Sequence, residues 1–500
     1  MPSLWGKLRV FSDAELFQLH QGALRILEEV GVAFQHPQFL ERLAAAESGV
    51  KIDFDTCVVK FPPEVVEEAM RTARLVDRRV RPPQVRLQFS AEGGPTSVID
   101  LETGQRRPST LQDLADAVRL ADALPNIDGV GEPVTPADVH PHVWDLFMYK
   151  TIWSNTFKVD GGGVMGRKGN IIHNRDPRAM RLLLEMGAVM RGGWEELRQR
   201  PLIGANMPPQ SPLRYDEDVL QQVLFMLDAG QYVTVCSNAM GAAQAPATLA
   251  GILALDNAER LAGLTAVTLI SPRTEIFIGN HPGYMDLRTG NFSDGSPEHA
   301  LLALGGHELL TYYGVHLSGH HPVLMTLAKT IGVQAAAEKS ALAMLWGLMG
   351  ATGVCCSGSH LYSYSLAQMV IDNEIAGMVN RILEGFEINE ETLALDVIKE
   401  VGVGGVFLTH PHTAIESRRN FWASELFDRN TYDSWLARGG RDIIEIATEK
   451  ARALLATHHP RPLSEEQMAA MEDICERAKA EILQGQRSRT SGTREPASAM

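Results

Sequence analysis

Short runs of β-favouring residues alternate with helical segments along most of this chain, and that alternation admits few architectures. The runs cover residues 127–134, 156–160, 201–207, 232–238, 275–280, 315–320, 354–360 and 403–408. A strand that returns through a helix comes back in the same direction, so repeated units of this kind build a parallel sheet covered by helices. Eight such units match a sheet closed on itself, a (β/α)8 TIM-type barrel, although alternation alone also fits an open doubly wound sheet. The expected fold is therefore α/β, with residues 98–484 forming a barrel domain that ends in C-terminal helices. Residues 1–97 read as a helical and irregular N-terminal extension, and 485–500 as a polar tail expected to be disordered.

Local signals support the helical parts. Ser12 and Glu15 form an S-x-x-E capping box ahead of Leu16, Leu19, Ala23, Leu27 and Val30, which recur at helical spacing. Another helix should start at Pro62-Pro63, and a third should be capped at Ser109-Thr110 and run to about Leu124. Residues 432–455 and 464–483 read as helices again. The Arg-, Pro- and Val-rich stretch 74–95 loses helical period and reads as a strand or linker.

The net charge of −15 argues against a nucleic-acid or anionic-membrane surface. The five cysteines include no C-x-x-C pair, which fits a reducing compartment. No signal-peptide pattern and no apolar stretch of membrane-spanning length is evident, so a cytoplasmic location is expected. There is no G-x-x-x-x-G-K-[ST], no G-x-G-x-x-G around Gly402–Gly405 and no G-x-S-x-G around Ser357 or Ser359. His320-His321, His410-x-His412 and Cys355-Cys356 offer ligand types, but no metal-binding spacing gathers them, and neighbours on a strand face opposite ways. No bound metal is expected.

Seven strings in order carry a family resemblance across about three quarters of the chain. They are RRPSTLQDLADAVRLADALPNI (106–127), PLIGANMPPQSPLRYDED (201–218), PATLAGILALDNAERLAG (246–263), GYMDLRTGNFSDGSPEHALL (283–302), SLAQMVIDNEIAGMVNRILEGF (365–386), EVGVGGVFLTHPHTAIESRR (400–419) and LFDRNTYDSWLARGG (426–440). With these the chain resembles the trimethylamine methyltransferase family, in its pyrrolysine-free branch, whose members are similar to glycine betaine methyltransferase. The resemblance implies a barrel that moves a methyl group from a small quaternary or tertiary amine to the Co(I) of a separate corrinoid protein. The loop 326–334 departs from the family pattern, lacking the acidic residues that relatives often carry there. The nearest approach to a corrinoid-binding D-x-H-x-x-G is Asp138-Val139-His140-Pro141-His142-Val143, where Val143 stands in place of the glycine. The corrinoid is therefore expected on a partner, with none held tightly by this chain, and a homo-oligomer is expected.

A quaternary ammonium leaves as a neutral tertiary amine, so its attack by Co(I) needs orientation and exclusion of water rather than a general acid. Such a cation suits aromatic faces and nearby carboxylates, and a betaine carboxylate needs N–H donors. Barrel sites form at strand C-termini, which points to Glu132, Asn206, Asn238, His320, His360 and His410. Asp160 and Asn280 with His281 end other runs, and Tyr362, Tyr364 and Phe407 are the expected aromatic cage, with Trp346, Trp144, Phe147 and Tyr149 as alternatives. No residue is assigned as a catalytic acid, base or nucleophile. The competing readings are a barrel lyase or metal-assisted hydrolase using Glu132 and the histidines, or a betaine-binding homologue without turnover.

Overall fold

A computed structural model describes residues 3–76, 86–159, 171–315 and 323–484. It is mixed α/β. Parallel strands β1 (Gln88–Ala91), β2 (Gly129–Val130), β3 (Ile171–Ile172), β4 (Gly204–Met207), β5 (Tyr232–Ser237), β6 (Ile276–Asn280) and β7 (Gly353–Val354) alternate with helices. The helices are α1 (Leu111–Ala123), α2 (Trp144–Asn155), α3 (Pro177–Arg191), α4 (Glu217–Asp228), α5 (Leu249–Ile270), α6 (Pro297–Tyr312), α7 (Val333–Met349) and α8 (Leu366–Glu384). Between α6 and α7 a single parallel bridge, Val323 to Cys355, occupies the place of a strand.

The strands pair in two parallel arcs. One runs β6-β5-β4-β3, with Ser237 opposite Asn280 and Thr234 opposite Asn206. The other runs β7-β1-β2 and is extended by the Val323 bridge. Among the described residues no strand pairing joins the arcs.

β5 and β6 are buried at every position, as parallel strands covered on both faces require. The side chain of Tyr232 fits because its neighbour is Gly204: a Cβ there would stand 2.1 Å from the ring. Helix starts follow the expected chemistry. Thr110 and Asp113 form a reciprocal capping box on α1, Ser296 caps α6 ahead of Pro297, and Ser12 with Glu15 caps Asp13–Arg25. The C-terminal helix Ile443–Thr457 packs on α8, and Glu465–Ala478 packs on α3.

Several expected strands fall elsewhere. Residues 156–159 form no strand: Thr156 ends α2, and its hydroxyl donates to Asp122 at 2.6 Å. Residues 403–408 lie in an exposed turn leading into Phe407–Thr409, with no sheet partner to bury Val403 or Leu408. In 315–320, Val315 is buried and the remainder lies outside the described residues, as does the tail 485–500. Residues 88–91, read as part of the N-terminal extension, pair instead between β7 and β2. The side-chain amide of Asn380 brackets that strand, accepting from Leu87 N at 2.8 Å and donating to Leu87 O at 3.0 Å.

α7 and α8 are tied by a buried ion pair, Lys339 Nζ to Asp372 Oδ2 at 2.8 Å. Lys339 also donates to Cys356 O at 3.0 Å, and Asp372 accepts from Gly358 N and Gln368 Nε2 at 2.7 and 2.8 Å. Removing one member strands the other charge in the interior, so Lys339→Met should lower the unfolding free energy by about 3–5 kcal/mol. Urea titration measures this; a change within about 0.5 kcal/mol, as at an ordinary surface site, would show the pair to be dispensable.

Candidate functional site

A cavity of about 290 Å³ opens where the strands of both arcs end. Each β unit supplies part of its wall: Glu92, Gly93 and Gly94 after β1, Glu132 after β2, Ile171 and His173 at β3, and Asn206 in β4. Cys236 and Asn238 come from β5 and the residue after it, Asn280 and His281 from the end of β6, Val323 and Met325 from the bridge, and Cys355 and Cys356 from the end of β7. Gly93 is a backbone requirement. Its φ is +151°, and a Cβ there would stand 2.4 Å from Ser359 Oγ.

The carboxylate of Glu132 is the most constrained group in the wall. Tyr149 Oη lies 2.5 Å from Glu132 Oε1, and His173 Nε2 donates to Oε2 at 2.8 Å. The same tyrosine hydroxyl is 2.6 Å from Ile171 O, so one hydrogen serves two acceptors. Burial works against charge on His173, but the facing Glu132 carboxylate outweighs it and holds the imidazole up to about 9. Behind this pair Asp145 accepts from the backbone N–H groups of His173 and Asn174, at 2.9 and 2.7 Å, fixing the turn after β3. Burial pushes its carboxyl up to about 6, with His173 acting in the opposite direction.

The thiols are poorly suited to attack. Burial pushes Cys236 up to about 12, and its thiol is turned to Asn206 Oδ1 at 3.0 Å. Cys355 is likewise raised by burial, with its sulfur 3.4 Å from that of Cys356. Both cysteines reach the cavity although they are adjacent in sequence. The strand alternation that would have separated them breaks at Cys356, whose φ is +72°.

His281 is also close to two buried groups outside the wall. Its Nε2 lies 2.9 Å from Asp294 Oδ1, and His299 Nδ1 lies 3.8 Å from the same oxygen. Among the described residues this is the one trio of His, Cys, Asp or Glu side chains whose donor atoms converge closely enough to hold an ion. Burial, together with His281, pushes His299 down to about 4.

The residues expected from sequence divide sharply. Glu132, Asn206 and Asn238 line the cavity, as do Asn280 and His281, while His320 and Asp160 lie outside the described residues. His360 does not reach it. That ring is buried, donates from Nδ1 to Ala328 O at 3.0 Å, and is held down to about 4 by burial and by Lys339. Tyr364 is a core side chain whose hydroxyl donates to Ser357 O at 2.6 Å. Tyr362 is half exposed, donates to Asn291 Oδ1 at 3.0 Å and carries the Lys329 ammonium 5.0 Å above its ring. Phe407 sits in the exposed turn, and His410 caps Pro411–Asn420 with its other ring nitrogen 3.1 Å from Glu400. Glu374 accepts from Ser424 Oγ and Glu425 N, fastening the chain after α8.

No described Phe, Tyr or Trp lines the cavity, so the expected aromatic cage is not assembled there. The aromatics stand one layer back: Tyr149 on Glu132, Phe292 with its ring 5.3 Å from that of His281, and Trp144 with its ring 5.9 Å from that of His173. Sequence reading missed Glu92 and His173. Both follow short strands; Ile171-Ile172 before His173 was the available signal, too brief to register as a run.

The sequence matches the family model described as trimethylamine methyltransferase (MTTB) over residues 3–483. Trimethylamine methyltransferase MttB of Desulfitobacterium hafniense (strain DSM 10664 / DCB-2) is 32% identical over 481 residues, covering 94% of this chain and 94% of its own. Glycine betaine methyltransferase of Desulfitobacterium hafniense (strain Y51) is 30% identical over 479 residues, covering 93% of this chain and 96% of its own. The solved Methanosarcina barkeri monomethylamine methyltransferase (MtmB) aligns over 88% of this chain and 92% of its own, at 12% identity and TM-score 0.41, a likeness too distant to argue from.

The His173–Glu132 pair carries a pH signature. With a folded value of about 9 against an ordinary 6.5, protonated His173 contributes stability that is fully present below 6.5 and lost as pH rises through about 9. Melting temperature followed from pH 6 to 10 should therefore fall across that window, and His173→Gln should flatten the fall. An unchanged profile in the variant would show that His173 is not the titrating group.

Proposed function

This chain belongs to the trimethylamine methyltransferase family and is a methyltransferase, and from that premise we propose that it demethylates a small quaternary amine of the glycine betaine type. The acceptor in this reading is the Co(I) of a separate corrinoid protein. The observation that carries it is the polar make-up of the cavity wall: the carboxylates of Glu92 and Glu132 with the imidazole of His173 on one side, and the amides of Asn206 and Asn238 on the other. Carboxylates in the wall suit a fixed organic cation, which brings no N–H of its own.

The asparagines support the betaine end of the substrate class. Asn206, Asn238 and Asn280 stand at the ends of successive strands of one arc and line the cavity. A ligand carboxylate would take its N–H donors from the asparagine amides that face the cavity. The ammonium would then lie toward Glu92 and Glu132, with the hydrophobic Ile171, Val323 and Met325 flanking the methyl groups. Coulomb attraction from the carboxylates replaces the absent aromatic cage in this arrangement.

The corrinoid fits as a co-substrate rather than a resident group, because a cavity of about 290 Å³ admits a small amine but no corrin ring. When docked it would supply the nucleophilic cobalt; this chain's residues bind the cation, orient one N–CH₃ bond outward and exclude water. The two strand arcs are read as the staves of one eight-unit barrel whose mouth receives the partner. A homo-oligomer in the cytoplasm completes the proposal, and no described helix is long and apolar enough to cross a membrane.

The test is methylcobalamin formation from cob(I)alamin with glycine betaine, proline betaine, carnitine, choline and trimethylamine. Saturable turnover of glycine betaine is expected, and no turnover with any of the five would overturn the proposal. Glu132→Gln should raise KM about 10–100-fold with a smaller effect on kcat, since a carboxylate roughly 5 Å from a cation is worth about 3 kcal/mol at an effective dielectric near 20, less the share offset by His173. An unchanged KM would remove Glu132 from the binding site.

A further inference from the structure

The segment after β6 brings three metal-ligand side chains together from three rigid places. His281 follows the strand, its N–H bonded to Ser237 O at 2.9 Å. Asp294 lies in the turn before α6, and His299 lies in the first turn of α6, where its N–H donates to the capping Ser296 Oγ at 3.2 Å. One donor atom from each residue lies within 4.8 Å of the others.

Asp294 is 2% exposed, and its Oδ2 has no hydrogen-bond partner. A buried carboxylate oxygen left without a donor is costly, and native interiors rarely keep one without a reason. Its other oxygen, Oδ1, faces both histidines, and His299 Nδ1 presents a lone pair that now accepts from Gly295 N at 3.2 Å. A cation at this point would satisfy the carboxylate.

The geometry points to a divalent transition-metal site formed by His281, Asp294 and His299, suited to zinc. Two imidazoles and one carboxylate make a borderline nitrogen and oxygen donor set, which fits zinc and its first-row neighbours rather than calcium or magnesium with their all-oxygen shells. Zinc bonds of about 2.0–2.2 Å place tetrahedral donors roughly 3.3–3.6 Å apart. Two observed separations, 2.9 and 3.8 Å, bracket that span and the third is no more than 4.8 Å, so closing the site takes side-chain adjustment and exchange of the Gly295 N–H bond on His299 Nδ1 for the metal. Three protein ligands leave coordination free. His281 is the member in the cavity wall, with 21% of its side chain exposed, while the side chains of Asp294 and His299 are at 1% and 2%. The open positions therefore face the cavity, where water or a ligand oxygen would fill them.

The experiment uses the full chain, stripped with chelator and titrated with Zn²⁺ by calorimetry and with Co²⁺ by visible absorption. One equivalent per chain is expected, with the intense Co²⁺ bands of a four- or five-coordinate site. Asp294→Asn and His299→Ala should each weaken binding by about 100-fold or more, with circular dichroism confirming that each is folded. His410→Gln, at a half-buried histidine outside the trio, should bind as the wild type does. Absence of saturable binding in the wild type overturns the proposal even if both variants misfold. Retention of binding in the two folded variants overturns it equally. Neither titration contains an amine or a corrinoid, so the result is independent of the methyl-transfer proposal.

Discussion

The shape of the cavity depends on the buried pair Lys339–Asp372. Taking both charges from water is expensive, and their attraction offsets that cost only when the remaining hydrogen-bonding capacity is used. Here it is used on one short turn: Lys339 reaches Cys356 O, and Asp372 receives Gly358 N. That turn contains two left-handed residues, Cys356 at φ +72° and Gly358 at φ +85°. For the cysteine this conformation costs on the order of 1–3 kcal/mol, and the ion pair holds it in place. The consequences reach the cavity directly. Cys355 and Cys356 both face it, and Ser359 is set so close to Gly93 that no side chain is tolerated there.

The opposite wall is organised by charge as well, but with its charges accessible. Glu132 and His173 meet at the ends of β2 and β3, the two strands on either side of a break in the described pairing. Tyr149 bridges that break through Glu132 and Ile171 O, so a side-chain network does what ladder hydrogen bonds do elsewhere. Cys236 and Cys355 are held as thiols by burial, and the histidine is committed to its carboxylate. What is left is a container with fixed dipoles and charges. In the methyl-transfer proposal above, that container positions the substrate while the reaction partner arrives from outside.

The α/β class was legible because β5 and β6, six and five residues long and buried throughout, sit in β-favouring runs between helices. β1 was not, because its four residues sit in a stretch dominated by arginine and proline, and its stability comes from Asn380, far away in sequence. The same cause hid Glu92. Asn206, Asn238 and Glu132 were legible as polar residues ending recognisable strands. The misassigned aromatics show the converse. Tyr364 and Phe407 were placed by assuming that residues near a strand end face the mouth, whereas tertiary contacts put one into the core and left the other on an exposed turn. His360 resembled a ligand by its neighbours in sequence, yet it is locked to Ala328 O.

The loop after the Val323 bridge sharpens the question of specificity. Residues 326–334 contain no carboxylate, but the structure supplies one from α7: Glu338 accepts from Thr326 Oγ1 and from Gln334 Nε2, the latter at 2.9 Å. Glu338 braces the loop from behind and is not part of the cavity wall. Lys329 is turned away too, donating to Leu327 O at 2.9 Å and lying over Tyr362. Met325, just ahead of the loop, brings an apolar side chain to the cavity, while the loop's one charged group, Lys329, is spent on Leu327 O and the Tyr362 ring. Attraction for a cation must then come from across the cavity, where Glu92 and Glu132 stand after β1 and β2. A change of carboxylates in this loop therefore alters the shape and polarity of one wall without removing the charge that would hold an ammonium group.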